Sequence, residues 1–222
     1  MSLSRTITRP RSRLIRVIRQ GIRQLLPWRL ARPLLEIADL GPGGPLRYAR
    51  CRFARERVRD LPHSPPQHGT ILLLCDGNIF RSALAEALMR RRLAEPWQRR
   101  VLSAGLRARD GKPADPRARS FAKAMGLSLE QHGARQLRPE MIDDAAWILA
   151  MDDYNRARLL GLYPQARERL YLLGAFTQGL SPGSRWPRIH DPYHCTSGTE
   201  RDAALQAVVG AVDGVLARLP GP

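Results

Sequence analysis

Short aliphatic runs alternate with stretches of helical periodicity over the last two-thirds of the chain. Residues 70–74, 101–104, 147–150 and 170–173 are apolar and almost uninterrupted, as strands buried on both faces of a parallel sheet are. Residues 82–93, 115–125, 152–162 and 199–219 carry the helical pattern between and after them. Asp115-Pro116 and Thr199 ahead of Asp202 supply helix starts, while Gly126 and Pro164 supply stops. This βαβ punctuation predicts an α/β domain over residues 69–222, built as an open parallel four-stranded sheet with helices on both faces. Its ligand belongs at the carboxyl ends of the strands.

Residues 1–68 read differently, as a basic, partly helical extension and linker. Leu14, Ile15, Ile18, Ile22, Leu25 and Leu26 fall on one helical face and Arg16, Arg19 and Arg23 on the other, until Pro27 ends the pattern. Such a helix lies on an anionic membrane surface or an acidic partner, here through residues 10–30, or it packs on the domain that follows. Residues 41–45, Gly-Pro-Gly-Gly-Pro, read as a break, 46–61 as a second basic helix, and 62–66 as a linker.

Charge sharpens the division. The chain has 37 Lys and Arg against 20 Asp and Glu, a net +17; residues 1–68 hold 15 of the cations against four acids, leaving 22 against 16 for the remainder. Arginine interrupts every apolar run of the extension, which excludes a transmembrane span and the apolar core of a signal peptide. An Arg-rich, acid-poor start would also suit a mitochondrial transit peptide, but the Arg bias runs through the whole chain. A nucleic-acid partner would rest on charge alone, because zinc, helix-turn-helix and aromatic-sheet patterns are absent. Three cysteines, at 51, 75 and 195, give neither metal-ligand spacing nor a disulfide framework. A reducing, cytoplasmic setting follows, with the extension at the inner membrane face under the lipid reading; no metal or cofactor is called for.

The chemistry concentrates at Cys75-Asp76-Gly77-Asn78-Ile79-Phe80-Arg81-Ser82, between the first strand and its helix. Gly77 can supply the backbone angles of a sharp turn, so that successive N–H groups converge beside a helix N-terminus. Phosphate fits such a nest. Arg81 can fold back to hold two of its oxygens, and amides plus guanidinium would stabilise a thiolate at Cys75. Read alone, Cys75 could equally be a buried strand-end thiol and Arg81 a surface residue. Asp191, before Pro192, is either a turn residue or a proton donor, with Tyr193 as a ring wall or mere packing; Asp152 and Asp153 rival it but sit where helix caps are expected.

The run resembles the phosphate loop of low-molecular-weight protein tyrosine phosphatases, Cys-x-Gly-Asn-x-x-Arg-Ser before a helix, with matches at positions 75, 77, 78, 81, 82 and 86. The likeness continues through residues 101–105, 132–136 (His-Gly-Ala-Arg-Gln), 146–152 ending in Met-Asp, and 190–193 (His-Asp-Pro-Tyr), so it spans residues 69–219. The resemblance implies a cysteinyl-phosphate intermediate on Cys75, with Asp191 as general acid and then base. It implies phosphate binding by the loop 76–80 and Ser82, a supporting network through Asn78, Ser82, Ser103 and His132, and a phosphotyrosine protein as substrate. Bacterial members often act on tyrosine kinases that control polysaccharide export.

This chain departs from the pattern at several places. Asp76 replaces an aliphatic residue, and its charge would oppose a thiolate unless it sits on the rim, where it would favour substrates with basic neighbours. Phe80 stands where many members carry a second, protective cysteine. Residues 106–111 lack an aromatic, so either the grip on a phenol is weaker or Arg107 and Arg109 read acidic flanks instead. Two other readings follow: a phosphate-binding module with weak turnover, and an arsenate reductase, although no cysteine lies between Cys75 and Cys195 to relay a disulfide.

Overall fold

The computed structural model describes residues 34–64, 69–93, 95 and 100–219. The basic pattern at residues 10–30 lies outside them. Four strands, β1 (Thr70–Cys75), β2 (Val101–Gly105), β3 (Ala145–Ala150) and β4 (Leu170–Leu172), form one parallel sheet in the order β2-β1-β3-β4. All six residues of β1 are buried, which accounts for its unbroken apolar run. From residue 44 onward the α-helices of the described residues are α1 (Gly44–Arg52), α2 (Arg81–Arg92), α3 (Pro116–Ala124), α4 (Pro139–Asp144), α5 (Asp153–Leu162) and α6 (Gly198–Leu216).

From β1 the chain steps to β2 on one side, and from β3 to β4 on the other. Right-handed crossovers therefore place α2 and α5 on opposite faces of the sheet. α6 and α3 join the α2 layer and α1 packs on α5. The strand order reverses at β1, so the crevice for a ligand opens where the loop after β1 meets the loop after β3.

Local signals explain most boundaries. Asp115 caps α3 by accepting from Arg117 N, with Pro116 in the first turn, and Gly126 (φ +69) closes that helix with its N–H on the carbonyl of Lys123. Ser197 caps α6 by accepting from Glu200 N, two residues before the expected start at Thr199. α6 presses so closely on the 3-10 turn Leu173–Phe176 that a Cβ at Gly214 would stand 1.6 Å from the carbonyl oxygen of Phe176. None of the described helices is long and apolar enough to cross a membrane.

The extension departs from its expected form. The Gly-Pro break at 41–45 is where α1 begins, with Gly43 left-handed (φ 67) as its cap and Pro45 in the first turn. The helix expected over 46–61 stops at Arg52, and only a 3-10 turn, Val58–Asp60, follows. Tertiary pairing ends it: Val58 N and Arg59 N donate to the carbonyls of Ser184 and Pro182 rather than to their own previous turn. Leu40, Cys51 and Leu61 join the same hydrophobic core as the sheet.

Candidate active site

Cys75 ends β1, paired in register with Gly105 at the end of β2. Gly105 is required there, since a Cβ would lie 2.8 Å from the Asp76 carbonyl and 2.9 Å from Asn78 N. Four of the loop's carbonyls find partners on its outer side. Those of Cys75 and Asp76 accept from Leu106 N (3.0 Å) and Arg107 N (2.8 Å), that of Asn78 from His132 Nε2 (2.7 Å), and that of Ile79 from Asp115 N (3.0 Å). The N–H side of the loop is left for the centre, where Asn78 N reaches Cys75 Sγ at 3.2 Å.

The left-handed residue of the turn is Asn78 (φ 53), not Gly77 as expected. Asparagine tolerates that conformation when its amide is tied down. Its Nδ2 donates to Ser82 Oγ (2.9 Å) and Ser103 Oγ (2.8 Å), and its Oδ1 accepts from Arg135 N (2.8 Å). Ser103 in turn donates to Glu86, which Arg135 holds at 3.1 Å. With its oxygen accepting from Asn78, the Ser82 hydroxyl keeps its own hydrogen for Cys75 Sγ, 2.9 Å away. Asn78, Ser82 and Ser103 are fully buried behind the loop, as a bracing network requires.

Arg81, at the first position of α2, is 2% exposed and folds back under the loop. Its Nη1 donates to Asp152 Oδ2 (2.6 Å) and the carbonyl of Ile189 (3.0 Å), and its Nη2 stands 2.8 Å from Asp191 Oδ2. Burial pulls this guanidinium down, but the two carboxylates outweigh burial and push it up, so it stays charged. Asp152 caps α5 through Asn155 N (2.8 Å) as expected, yet also grips Arg81. That second role follows from the rule that placed Cys75: both residues stand at the carboxyl edge of a strand flanking the switch point.

The expected lowering of the Cys75 thiol is corrected by this geometry. Burial pushes the thiol up; Arg81 and Ser82 pull it down without overcoming burial, and Asp191 adds to the rise. Much of the charge on Arg81 is neutralised by Asp152 and Asp191, which limits its hold on the sulfur.

Above the sulfur opens a cleft of about 230 Å³. Cys75, Asp76, Gly77, Ile79, Phe80, Arg81, Asp191 and Tyr193 line it, joined by Arg107, Lys112 and His194. Phe80 meets Tyr193 edge to face at 6.4 Å, and the Arg117 guanidinium covers both rings at 5.0 and 5.6 Å. Asp191 is fixed as the cap of a 3-10 turn through Tyr193 N (3.1 Å).

Asp76 sits on the rim, but its charge is engaged. Arg107 grips both of its oxygens, Nε to Oδ1 at 2.9 Å and Nη2 to Oδ2 at 2.7 Å, and reaches Asp39 of the extension at 3.2 Å. Arg107 thus compensates Asp76 instead of waiting for an acidic flank. Neither Asp39 nor Glu36, 3.7 Å from His194, carried a sequence signal, because both arrive from a segment with no motif.

Residues 70–219 match the profile of the family described as low molecular weight phosphotyrosine protein phosphatase. The probable low molecular weight protein-tyrosine-phosphatase EpsP of Ralstonia nicotianae is 33% identical over 150 residues, 68% of this chain and 95% of that one. Among solved structures, the tyrosine phosphatase AmsI of Erwinia amylovora superposes with a TM-score of 0.58 at 30% identity, covering 68% of this chain and 92% of AmsI. The YwlE arginine phosphatase of Geobacillus stearothermophilus gives a TM-score of 0.57 at 28% identity, with 66% and 90% covered. A thiol loop at a strand end, a folded-back arginine and an aspartate on the facing loop, on this strand order, agree with those matches: the chain belongs to the low molecular weight protein tyrosine phosphatase family.

Proposed function

We propose that the protein hydrolyses phosphotyrosine in proteins through a cysteinyl-phosphate on Cys75. The observation that carries this reading is the convergence of Cys75, Arg81 and Asp191 in one cleft walled by two aromatic rings. Cys75 passes its proton to an oxygen of the bound phosphate and attacks phosphorus as the thiolate, the bond to the phenolic oxygen breaks, and Asp191 delivers its proton to that oxygen. Water then attacks the phosphocysteine while Asp191 takes a proton, and the S–P bond breaks to free phosphate and the thiolate. An incoming phosphate dianion takes the Arg81 fork and stands beside Asp191, which favours the protonated acid the first step needs. Phe80 and Tyr193 suit an aryl ester. A phosphorylated kinase at the membrane is the substrate implied by family resemblance, and residues 10–30 would bring the enzyme to anionic lipid.

The test is hydrolysis of aryl phosphates and of phosphotyrosine and phosphoarginine peptides by the full chain. The expected result is turnover of phosphotyrosine, none above background for Cys75→Ser, and a loss of about 10²-fold or more for Asp191→Ala. Phosphate binding without turnover in all three proteins would favour a binding module. Arsenate reduction abolished by Cys195→Ser would favour the reductase. Co-sedimentation with anionic but not neutral vesicles checks the membrane reading.

A further inference from the structure

We infer that residues 52–60 of the N-terminal extension position the loop that carries Asp191; this rests on Asp191 acting as the general acid. The chain approaching Asp191 runs from Pro182 to Ile189, and the extension holds it at successive points. Arg57 pairs with Arg185 as an antiparallel bridge, with Val58 N on the carbonyl of Ser184 and Arg59 N on that of Pro182, both at 3.0 Å. Trp186, 6% exposed, donates its Nε1 to the carbonyl of Arg57 at 2.8 Å. Arg188 Nη2 donates to the carbonyl of Arg52 at 3.0 Å.

A buried ion network ties the same pieces to α5. Asp153, 2% exposed, takes Arg188 and stands 3.8 Å from Arg156, and Arg156 pairs with Glu56 of the extension at 2.8 Å while lying over the Trp186 ring at 5.1 Å. The sheet itself grips this stretch at Ile189, whose N–H donates to Met151 O (2.9 Å) and whose carbonyl accepts from Arg81. Asp191 lies two residues further on. Without the extension, the approach loses four backbone-directed hydrogen bonds between residues 182 and 188. Catalytic geometry is sensitive to displacements on the scale of an ångström. Residues 52–60 thus act as positioning residues for the proton donor.

The experiment compares kcat/KM of the full chain on two aryl phosphates, p-nitrophenyl phosphate with an acidic leaving phenol and phenyl phosphate with a weakly acidic one. Trp186→Phe removes one clamp hydrogen bond; Val58→Pro removes another at a helical first position that accepts proline. Asp191→Ala is the reference. Loss of a group that protonates the leaving oxygen falls mainly on the ester with the weakly acidic phenol, because p-nitrophenolate can depart unprotonated. Asp191→Ala should lose far more on phenyl phosphate, and the clamp variants should repeat that bias at about tenfold on phenyl phosphate and under about twofold on p-nitrophenyl phosphate. Should one clamp variant fail to fold, the ratio from the other decides. Equal losses on both esters, or no loss, overturn the inference while Asp191→Ala keeps its bias. If Asp191→Ala shows no bias, the acid assignment falls and takes the inference with it.

Discussion

Asn78 shows how much of the site depends on one side chain. It carries the turn's left-handed conformation, bridges two serines and accepts from a backbone amide of the 132–136 segment. That Cys75, Arg81 and Asp191 would meet was legible from the loop motif after β1 and from the Asp-Pro-Tyr segment, and all three line one cleft. Two points were not. The positive φ was assigned to the glycine because glycine adopts it most freely, whereas the buried hydrogen bonds of Asn78 offset its cost. The thiol's direction was misjudged because burial outweighs the pull of Arg81 and Ser82, and because Asp191, 110 positions from Arg81 along the chain, adds to the rise. Ser82→Ala removes a hydrogen bond that lowers the thiol, so Cys75 should rise further. Iodoacetate inactivation should then show its midpoint moved to higher pH; an unmoved or lower midpoint would refute the Ser82 donor.

Elements were legible wherever periodicity and caps agreed. β1 extends one residue beyond its expected end and β4 stops one residue short. α4 went unread because six residues give too little periodicity, and the second basic helix was cut short by pairing with residues 182–185. α3 offers an element-scale test. Burial pushes the Asp115 carboxyl up, but its hydrogen bonds from the Arg117 side chain and backbone N–H prevail and hold it below the usual carboxylate range. Its stabilisation is therefore complete above the unfolded value and is lost as pH falls through the lower folded value. Asp115→Ala should cost about 1 kcal/mol near neutral pH. In urea melts the gap between wild type and variant should close below about pH 4, and a gap that widens with acid would contradict the cap.

At the scale of the molecule, the extension proves to be part of the folded body as far as it is described. Sequence patterning set it apart because its charge and its Gly-Pro break resemble a linker; partners contributed by distant segments leave no trace in a local pattern. Leu40, Cys51 and Leu61 are buried in the common core. Deleting residues 1–64 should lower unfolding stability by on the order of 5 kcal/mol, from the two leucines and the thiol alone, measured by urea denaturation. An unchanged midpoint would show that the core closes without it.

Lys112, on the cleft wall, has a consequence of another kind. Although the chain holds 37 cationic residues, only Lys112 and Lys123 are lysines, and guanidinium groups, protonated throughout the working range, resist acylation. Apart from the terminal amine, acylating reagents therefore meet two targets: one at the mouth of the cleft and one on the exposed side of α3. A fluorophore attached through Lys112 Nζ would report on cleft occupancy without a designed cysteine and without alteration of the phosphate loop, while Lys123 serves as the built-in comparison.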